Sequence, residues 1–159
     1  MRNLIKSILI FILLVLLQLA IFDIFLKPII TAWGATQEEV NMPMAGDDKA
    51  LPIVSTRAIL INAKKSDVWK WLMQLGADRR GFYSYTFIEE ALGYKTHHQD
   101  SIRPEFAEIR VGDVVRGSID EKNSIVPYNF RVTYVQPEDT FVLDQWGTFL
   151  LKEVNDQQT

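Results

Sequence analysis

The 159-residue chain has no cysteine and only two histidines, His97 and His98. The lack of thiols excludes a disulfide scaffold, thiol catalysis and a zinc or iron–sulfur site with cysteine ligands. Lys and Arg number 17 against 20 Asp and Glu. Because no basic excess is present to replace phosphate counterions, no nucleic-acid partner is expected. The chain also lacks a Walker loop and a Gly-x-Gly-x-x-Gly motif, which excludes nucleotide chemistry of those kinds.

Apolar side chains are concentrated near the N-terminus. Residues 7–26 read SILIFILLVLLQLAIFDIFL, and their only polar members are Ser7, Gln18 and Asp23. Twenty helical residues rise about 30 Å, the hydrocarbon thickness of a bilayer. Asp23 also precedes Lys27 by one helical turn, in the order that favours an ion pair. The pattern therefore predicts a transmembrane anchor over residues 1–27, with the bilayer as its partner through residues 7–26.

Two other interpretations of this segment were weighed. A cleavable signal peptide has a shorter apolar region of about 7–15 residues and a small-x-small cleavage site. The nearest candidate site, Ala32-Trp33-Gly34, has a bulky Trp between its small residues. A buried core helix is a third interpretation, but this segment is apolar on every side. Arg2 and Lys6 precede the span, so the positive-inside rule predicts a cytoplasmic N-terminus and an extracytoplasmic body at the cell membrane.

The rest of the chain is predicted to be a linker over residues 28–53 and a domain over residues 54–159. Within the linker, Thr36 to Glu39 has the spacing of a capping box, which predicts a short helical turn. Residues 55–63 read STRAILINA and predict a strand. A helix follows, with Val68, Trp71, Leu72 and Leu75 on one face and Gly76 as its stop.

A second short helix is predicted between Ser84 as cap and Gly93 as stop, with an apolar side formed by Phe87, Ile88, Ala91 and Leu92. Turn residues 111–114 then separate extended segments. Strands are predicted at 130–135 and 140–143, joined by a turn at 137–139, and at 146–154, with a further turn at 155–158. Strand, two helices and a series of antiparallel strands make an α+β fold.

Several segments of the chain resemble the START/Bet v 1-like (SRPBCC, polyketide-cyclase-like) superfamily in its bacterial, membrane-anchored type. The order and spacing of these segments carry the resemblance from about residue 33 to residue 154. They are Trp33-Gly34-Ala35-Thr36, Pro43-Met44-Ala45-Gly46-Asp47, Thr56-Arg57-Ala58-Ile59, the segment from Val68 to Gly76, Gly81-Phe82-Tyr83-Ser84-Tyr85, Glu89, Gly93, Pro104-Glu105 and Gly112-Asp113.

The resemblance implies a helix-grip fold, in which an antiparallel sheet curls around a long C-terminal helix and encloses an apolar cavity. Lys64 stands where the family usually has proline, and Glu90 where it often has asparagine. The family's final strands and gripping helix have no counterpart after residue 154, so the domain is expected to be truncated at its C-terminus. The implied ligand is a small hydrophobic molecule of lipid-like or polyketide-like type.

Candidate site residues each have a structural alternative. Adjacent histidines on a strand point to opposite faces, so His97 and His98 predict no metal site. Glu89 fits a buried salt bridge to Arg79 or Arg80, or acid–base work together with Tyr85. Aromatic side chains at this density form either core or ligand site. The residues predicted to bind the ligand are Trp71, Phe82, Tyr83, Tyr85, Glu89 and Trp146.

The favoured hypothesis is a membrane-anchored domain that binds or transfers a hydrophobic ligand without cofactor, metal or catalytic residue. A cyclase-type or hydrolase-type enzyme using Glu89 and Tyr85 is the first alternative. The second is an inactive, truncated interaction module, whose unpaired strand edge would recruit another chain. The sequence makes no prediction of oligomeric state.

Overall fold

A computed structural model of the chain describes residues 2–47, 55–83, 85–91, 101–120 and 129–159. The chain forms two compact units. The first comprises Met1–Met42 with Ile53–Ile59, and the second comprises Pro43–Pro52 with Leu60–Thr159. Helices and an antiparallel sheet occur together, which confirms the predicted α+β class.

The first unit is dominated by one long apolar helix. It consists of α1 (Arg2–Ile21), a π-helical turn (Phe22–Leu26) and α2 (Lys27–Thr31). The 29 residues Asn3–Thr31 rise about 44 Å, more than a bilayer core of about 30 Å. No residue in the most apolar part of this helix is buried. The helix is therefore long and apolar enough to cross a membrane.

The helix continues past Pro28, where the sequence predicted the linker to begin. Proline has no N–H to donate to the preceding turn. The π-helical turn ends with the Lys27 N–H donating to the Phe22 carbonyl, and Pro28 then occupies the first turn of α2, where its missing donor is not needed. The predicted ion pair is confirmed, with Lys27 Nζ 3.1 Å from Asp23 Oδ1.

A short helix, α3 (Gln37–Asn41), confirms the predicted capping box. The Thr36 hydroxyl accepts from the Glu39 N–H at 3.2 Å, and the Glu39 carboxylate accepts from the Thr36 N–H at 2.9 Å. The predicted strand at residues 55–63 is wrong, because no strand is assigned there. Its N–H groups at Thr56 and Ala58 donate instead to the carbonyls of Thr31 and Trp33, which belong to a helix end and a turn.

The second unit contains a four-stranded antiparallel sheet in the order β1–β2–β3–β4. Its strands are β1 (Val114–Arg116), β2 (Asn129–Gln136), β3 (Thr140–Leu143) and β4 (Gly147–Leu150). The predicted hairpin is confirmed, with Val135 opposite Phe141 and Gln136 opposite Thr140. The last strand is shorter than the predicted 146–154, because residue 146 belongs to the preceding turn and residues 151–154 are not assigned to a strand. The predicted turn at Asn155 to Gln158 is confirmed by a bridge between these two residues.

Helix α4 (Lys65–Leu72) supplies the helical part of the core. Trp69 and Met73, four residues apart, are its buried side chains, whereas Val68 and Trp71 are only partly buried. The predicted inward face is confirmed in part, since Leu75 is buried in the core and Leu72 packs against it, whereas Trp69 and Met73 were not predicted. Apolar residues at 68–73 are dense enough to fit two helical faces. The buried core consists of Trp69, Met73, Leu75, Ile109, Val115, Phe130, Val132, Phe141 and Leu143.

Helix α5 (Thr86–Ala91) confirms the second short helix, but the apolar residues Phe87 and Ile88 on it are exposed. Phe87 is 69% and Ile88 43% exposed, whereas Glu89 is only 6% exposed. The predicted cap Ser84 and stop Gly93 lie outside the described residues. A six-residue helix has too few turns for side-chain periodicity alone to determine which face turns inward.

Candidate functional site

A tight turn after helix α4 positions two arginines. The Gly76 N–H donates to the Gly81 carbonyl at 3.1 Å, and the Gly81 N–H donates back to Gly76 at 2.8 Å. This reciprocal pair closes the segment between the two glycines, so Arg79 and Arg80 are held at a fixed place beside the end of the helix. The same helix end presents Gln74 to the turn.

The Arg80 guanidinium lies on two aromatic rings. Its central carbon is 3.7 Å from the ring centre of Trp71 and 5.4 Å from that of Tyr83, within the range of cation–π attraction. The Tyr83 hydroxyl donates to the Trp71 carbonyl at 2.5 Å. Burial raises the pKa of Tyr83 to about 12, with the charge of Arg80 acting in the opposite direction. The tyrosine therefore stays protonated and holds one wall of the site.

Gln74 is fully buried at this corner and is a site residue that the sequence prediction missed. Its carbonyl accepts from the Arg80 N–H at 3.0 Å, and its side-chain Oε1 accepts from the Arg103 N–H at 3.1 Å. Its Nε2 is buried without a hydrogen-bond partner, and so is Nη1 of Arg80. The sequence signal that could have identified Gln74 is its lone amide between Met73 and Leu75 in an apolar segment.

Two buried donors without acceptors are costly, at about 1–3 kcal/mol each. Native proteins leave few such groups, and those that remain call for a functional or solvent partner. Here they belong to residues joined by a backbone hydrogen bond, so the cost is concentrated at one corner. We call Trp71, Gln74, Arg80 and Tyr83 the donor corner.

The charges near the donor corner are unevenly compensated. Arg79 donates to the Met73 carbonyl at 2.9 Å, and burial lowers the pKa of Arg79 while Asp78 and Asp113 oppose that shift. Arg103 pairs with Glu105. Within the described part of the chain, no carboxylate forms an ion pair with Arg80. The corner therefore carries a guanidinium charge that its described neighbours leave uncompensated.

A second group of aromatic rings lies at the edge of the core. Trp146 is 5.2 Å from Phe82, 4.7 Å from Phe130 and 5.9 Å from Phe149 between ring centres. Phe149 in turn lies 5.9 Å from Phe141, which is completely buried. Trp146 itself is 43% exposed. We call Phe82, Phe130, Trp146 and Phe149 the aromatic edge, since it extends the core to the surface.

Tyr85 precedes α5 and Glu89 lies within it, and we call this segment the α5 region. The two side chains differ in their exposure to solvent. Tyr85 is 71% exposed, and its ring lies 5.9 Å from that of Phe87. Glu89 is buried, and its backbone N–H donates to the Tyr85 carbonyl at 3.1 Å. Among the ion pairs between described residues, none joins Glu89 to Arg79 or Arg80, so the predicted salt bridge is not found there.

The six predicted ligand residues are thus distributed over three places. Trp71 and Tyr83 belong to the donor corner, Phe82 and Trp146 to the aromatic edge, and Tyr85 and Glu89 to the α5 region. Tyr83 has a left-handed backbone with φ 56°, and it contacts other neighbours than Phe82 does: the Phe82 ring lies 5.2 Å from that of Trp146, whereas the Tyr83 hydroxyl donates to the Trp71 carbonyl. Among the described residues no three metal-ligating side chains come together, and His97 and His98 lie outside those residues.

Comparison with known proteins adds no relative to this description. No protein-family model matches the chain, and neither the curated proteins nor the solved structures contain a match. The resemblance to the START/Bet v 1-like superfamily thus stays a prediction from the sequence.

Proposed function

We propose that this protein is a membrane-anchored domain that binds or transfers a small hydrophobic ligand, on a body of helix-grip type. The observation that carries the proposal is the aromatic edge. Apolar rings there continue from the completely buried Phe141 to the 43% exposed Trp146 without an intervening polar side chain in the contact series. An apolar surface that is continuous with a core and open at one end is suited to a hydrophobic ligand.

The long N-terminal helix supports the membrane part of the proposal. Its side chains are exposed over most of its length, and in water such a surface would be strongly unfavourable. A bilayer removes that cost. The basic residues Arg2 and Lys6 precede the apolar segment, so we propose a cytoplasmic N-terminus and an extracytoplasmic body at the cell membrane. A protein fixed to the bilayer has direct access to lipid-like ligands.

Calorimetric titration of the full chain with octanol tests the proposal. The protein is held in phosphatidylcholine nanodiscs, and the heat from empty nanodiscs is subtracted. Octanol is uncharged and its alkyl chain is apolar, so its binding reports apolar contact without a charged head group. We expect saturable binding, weakened about tenfold or more by Trp146→Ala, since that change removes a large part of the apolar contact area.

Trp33→Ala is the matched control, because Trp33 is also exposed but belongs to the first unit. It should leave octanol binding unchanged. Equal loss in both variants, or heats no larger than those of empty nanodiscs, would contradict the proposal. The melting temperature of each variant is measured alongside, so that lost binding is not confused with lost folding.

The enzyme alternative gains no support from the geometry around α5. Acid–base work by Glu89 and Tyr85 requires both groups to meet one substrate. One of them is 71% exposed and the other 6% exposed, so the two side chains meet different surroundings. Their catalytic role remains a prediction, and the ligand-binding proposal is the one we retain.

A further inference from the structure

We infer that the donor corner binds an oxyanion, and that the hydrophobic ligand of the proposed function is therefore an amphipathic acid with a carboxylate or phosphate head. This inference rests on the proposed function for the apolar part of the ligand. The head group is argued independently, from Gln74 and Arg80.

The first step is the identity of the unpartnered atoms. Gln74 Nε2 and Arg80 Nη1 are both nitrogen donors, and both are buried without an acceptor. Only an acceptor can satisfy them, which excludes an ammonium or other purely donating group. Gln74 cannot reverse its amide at no cost, because its Oε1 already accepts from the Arg103 N–H at 3.1 Å.

The second step is charge. Arg80 has no carboxylate partner within the described ranges, and its guanidinium is held on Trp71 at 3.7 Å instead. An aromatic face fixes the plane of a guanidinium while leaving its edge free to donate. A positive charge with free edge donors selects an anion over a neutral carbonyl, because charge-assisted hydrogen bonds are about twice as strong as neutral ones.

The third step places the head near the apolar part of the ligand. Arg80 and Phe82 are two residues apart, so their Cα atoms lie within about 7 Å. Phe82 contacts Trp146 in the aromatic edge, with ring centres 5.2 Å apart. An extended chain of eight carbons is longer than either of these two distances. One ligand can therefore place its head at the donor corner and its chain on the aromatic edge.

Octanoate, octanol and inorganic phosphate distinguish the parts of this inference when each is titrated into the full chain in phosphatidylcholine nanodiscs. Octanoate has the same number of carbons as octanol and carries a carboxylate in place of the hydroxyl, while phosphate supplies an oxyanion alone. We expect octanoate to bind at least about tenfold more tightly than octanol, the gain of one or two charge-assisted hydrogen bonds.

Two variants test the corner, one by removing the orphan amide donor and one by removing the guanidinium charge. Gln74→Glu keeps the acceptor for the Arg103 N–H and replaces the orphan donor by a carboxylate oxygen. Arg80→Gln removes the charge. Each should weaken octanoate to the affinity of octanol. Arg131→Gln is the control of equal charge change, since Arg131 is exposed on β2 and distant in sequence from the corner.

Three results decide between the claims. Octanoate binding that depends on Gln74 and Arg80, with octanol also bound, supports both the inference and the proposed function. Equal affinities for octanoate and octanol, unchanged in the variants, would overturn the oxyanion site and leave the proposed function standing. Phosphate binding that depends on Arg80, without octanol binding, would support the oxyanion site and overturn the hydrophobic-ligand function.

Discussion

The two units of the protein treat the same kind of side chain in opposite ways. In the first unit, Leu13 and Phe11 are 66% and 67% exposed, in a helix whose most apolar part has no buried residue. In the second unit, Phe141 is completely buried and Val115 is 1% exposed. Leucine, valine and phenylalanine therefore have two distinct environments within one chain of 159 residues.

The difference supports the proposal that the first unit lies in a bilayer and the second in water. Exposed apolar side chains are stable in a bilayer, because lipid tails are as apolar as the side chains themselves. The second unit instead separates apolar from polar along its strands, with β2 alternating between exposed and buried positions at its start. That alternation is typical of a sheet with one face toward water. Each unit can be disturbed separately, and the following predictions use that separation.

The largest effect is expected from truncating the core of the second unit. Phe141 is completely buried between β2 and β4 and lies 5.9 Å from Phe149. Phe141→Ala removes a ring from a close-packed core and leaves a cavity, which costs about 3–5 kcal/mol. Near-ultraviolet circular dichroism during a thermal melt of the full chain in nanodiscs should show a large fall in melting temperature.

Leu13→Ala is the counterpart in the first unit. Because its side chain makes no core contact, we expect the melt of the second unit to change by less than about 0.5 kcal/mol. A fall comparable to that of Phe141→Ala would break the comparison, since it would mean that the long helix is part of a water-excluding core.

A smaller effect, confined to the first unit, is expected at Gly34. Its backbone has φ +75°, and a Cβ added there would lie 2.0 Å from the Ala58 carbonyl oxygen. Gly34→Ala should therefore separate the segment that contains Gly34 from the segment that contains Ala58. The expected cost in free energy of unfolding is about 2 kcal/mol or more, from the left-handed backbone and the contact together. Hydrogen exchange at Thr56 and Ala58, which donate to Thr31 and Trp33, should accelerate about tenfold or more.

Gly112→Ala sharpens this test. Gly112 also has a positive φ, +97°, but an added Cβ would meet no atom within 4 Å. The backbone strain is comparable and the collision is absent, so exchange at Thr56 and Ala58 should stay as in the wild type. Acceleration by Gly112→Ala would show that the two units unfold together.

The sequence predicted the elements whose residues interact with near neighbours in the chain. Three predictions that depend on contacts within four residues are confirmed. They are the Asp23–Lys27 pair, the capping box at Thr36 and Glu39, and the hairpin turn at 137–139. The prediction was wrong at residues 55–63 because a strand needs a partner, and propensity alone does not supply one.

The candidate site was predictable only in part. Aromatic type made Trp71, Tyr83, Phe82 and Trp146 candidates, but residue type alone does not divide them between two surfaces. Gln74 was missed because its importance lies in a donor that finds no acceptor, and that fact depends on the packing of distant segments such as Arg103. For Glu89 the sequence predicted a buried salt bridge or acid–base work, and the side chain is indeed buried, at 6% exposure.

The smallest expected effect is a loss of stability at high pH from Tyr83. Burial raises the pKa of its hydroxyl to about 12, against an ordinary value of 10.0. The folded protein therefore keeps this proton in a range where the unfolded chain has lost it. The stabilisation is fully present below pH 10 and is lost as the pH rises toward 12. Because the side chain is 51% exposed, solvent screening should keep the loss below about 1 kcal/mol.

Tyrosinate absorbance of the full chain, followed while far-ultraviolet circular dichroism confirms that the fold persists, should show a late-titrating phase that Tyr83→Phe abolishes. The charge of Arg80 lowers this pKa, so Arg80→Gln should move the phase to still higher pH. A phase that is unchanged in Tyr83→Phe would mean that the hydroxyl is not held at the donor corner. If the pH of this phase shifts in Arg80→Gln but the phase persists in Tyr83→Phe, the late-titrating tyrosine is another residue near the guanidinium.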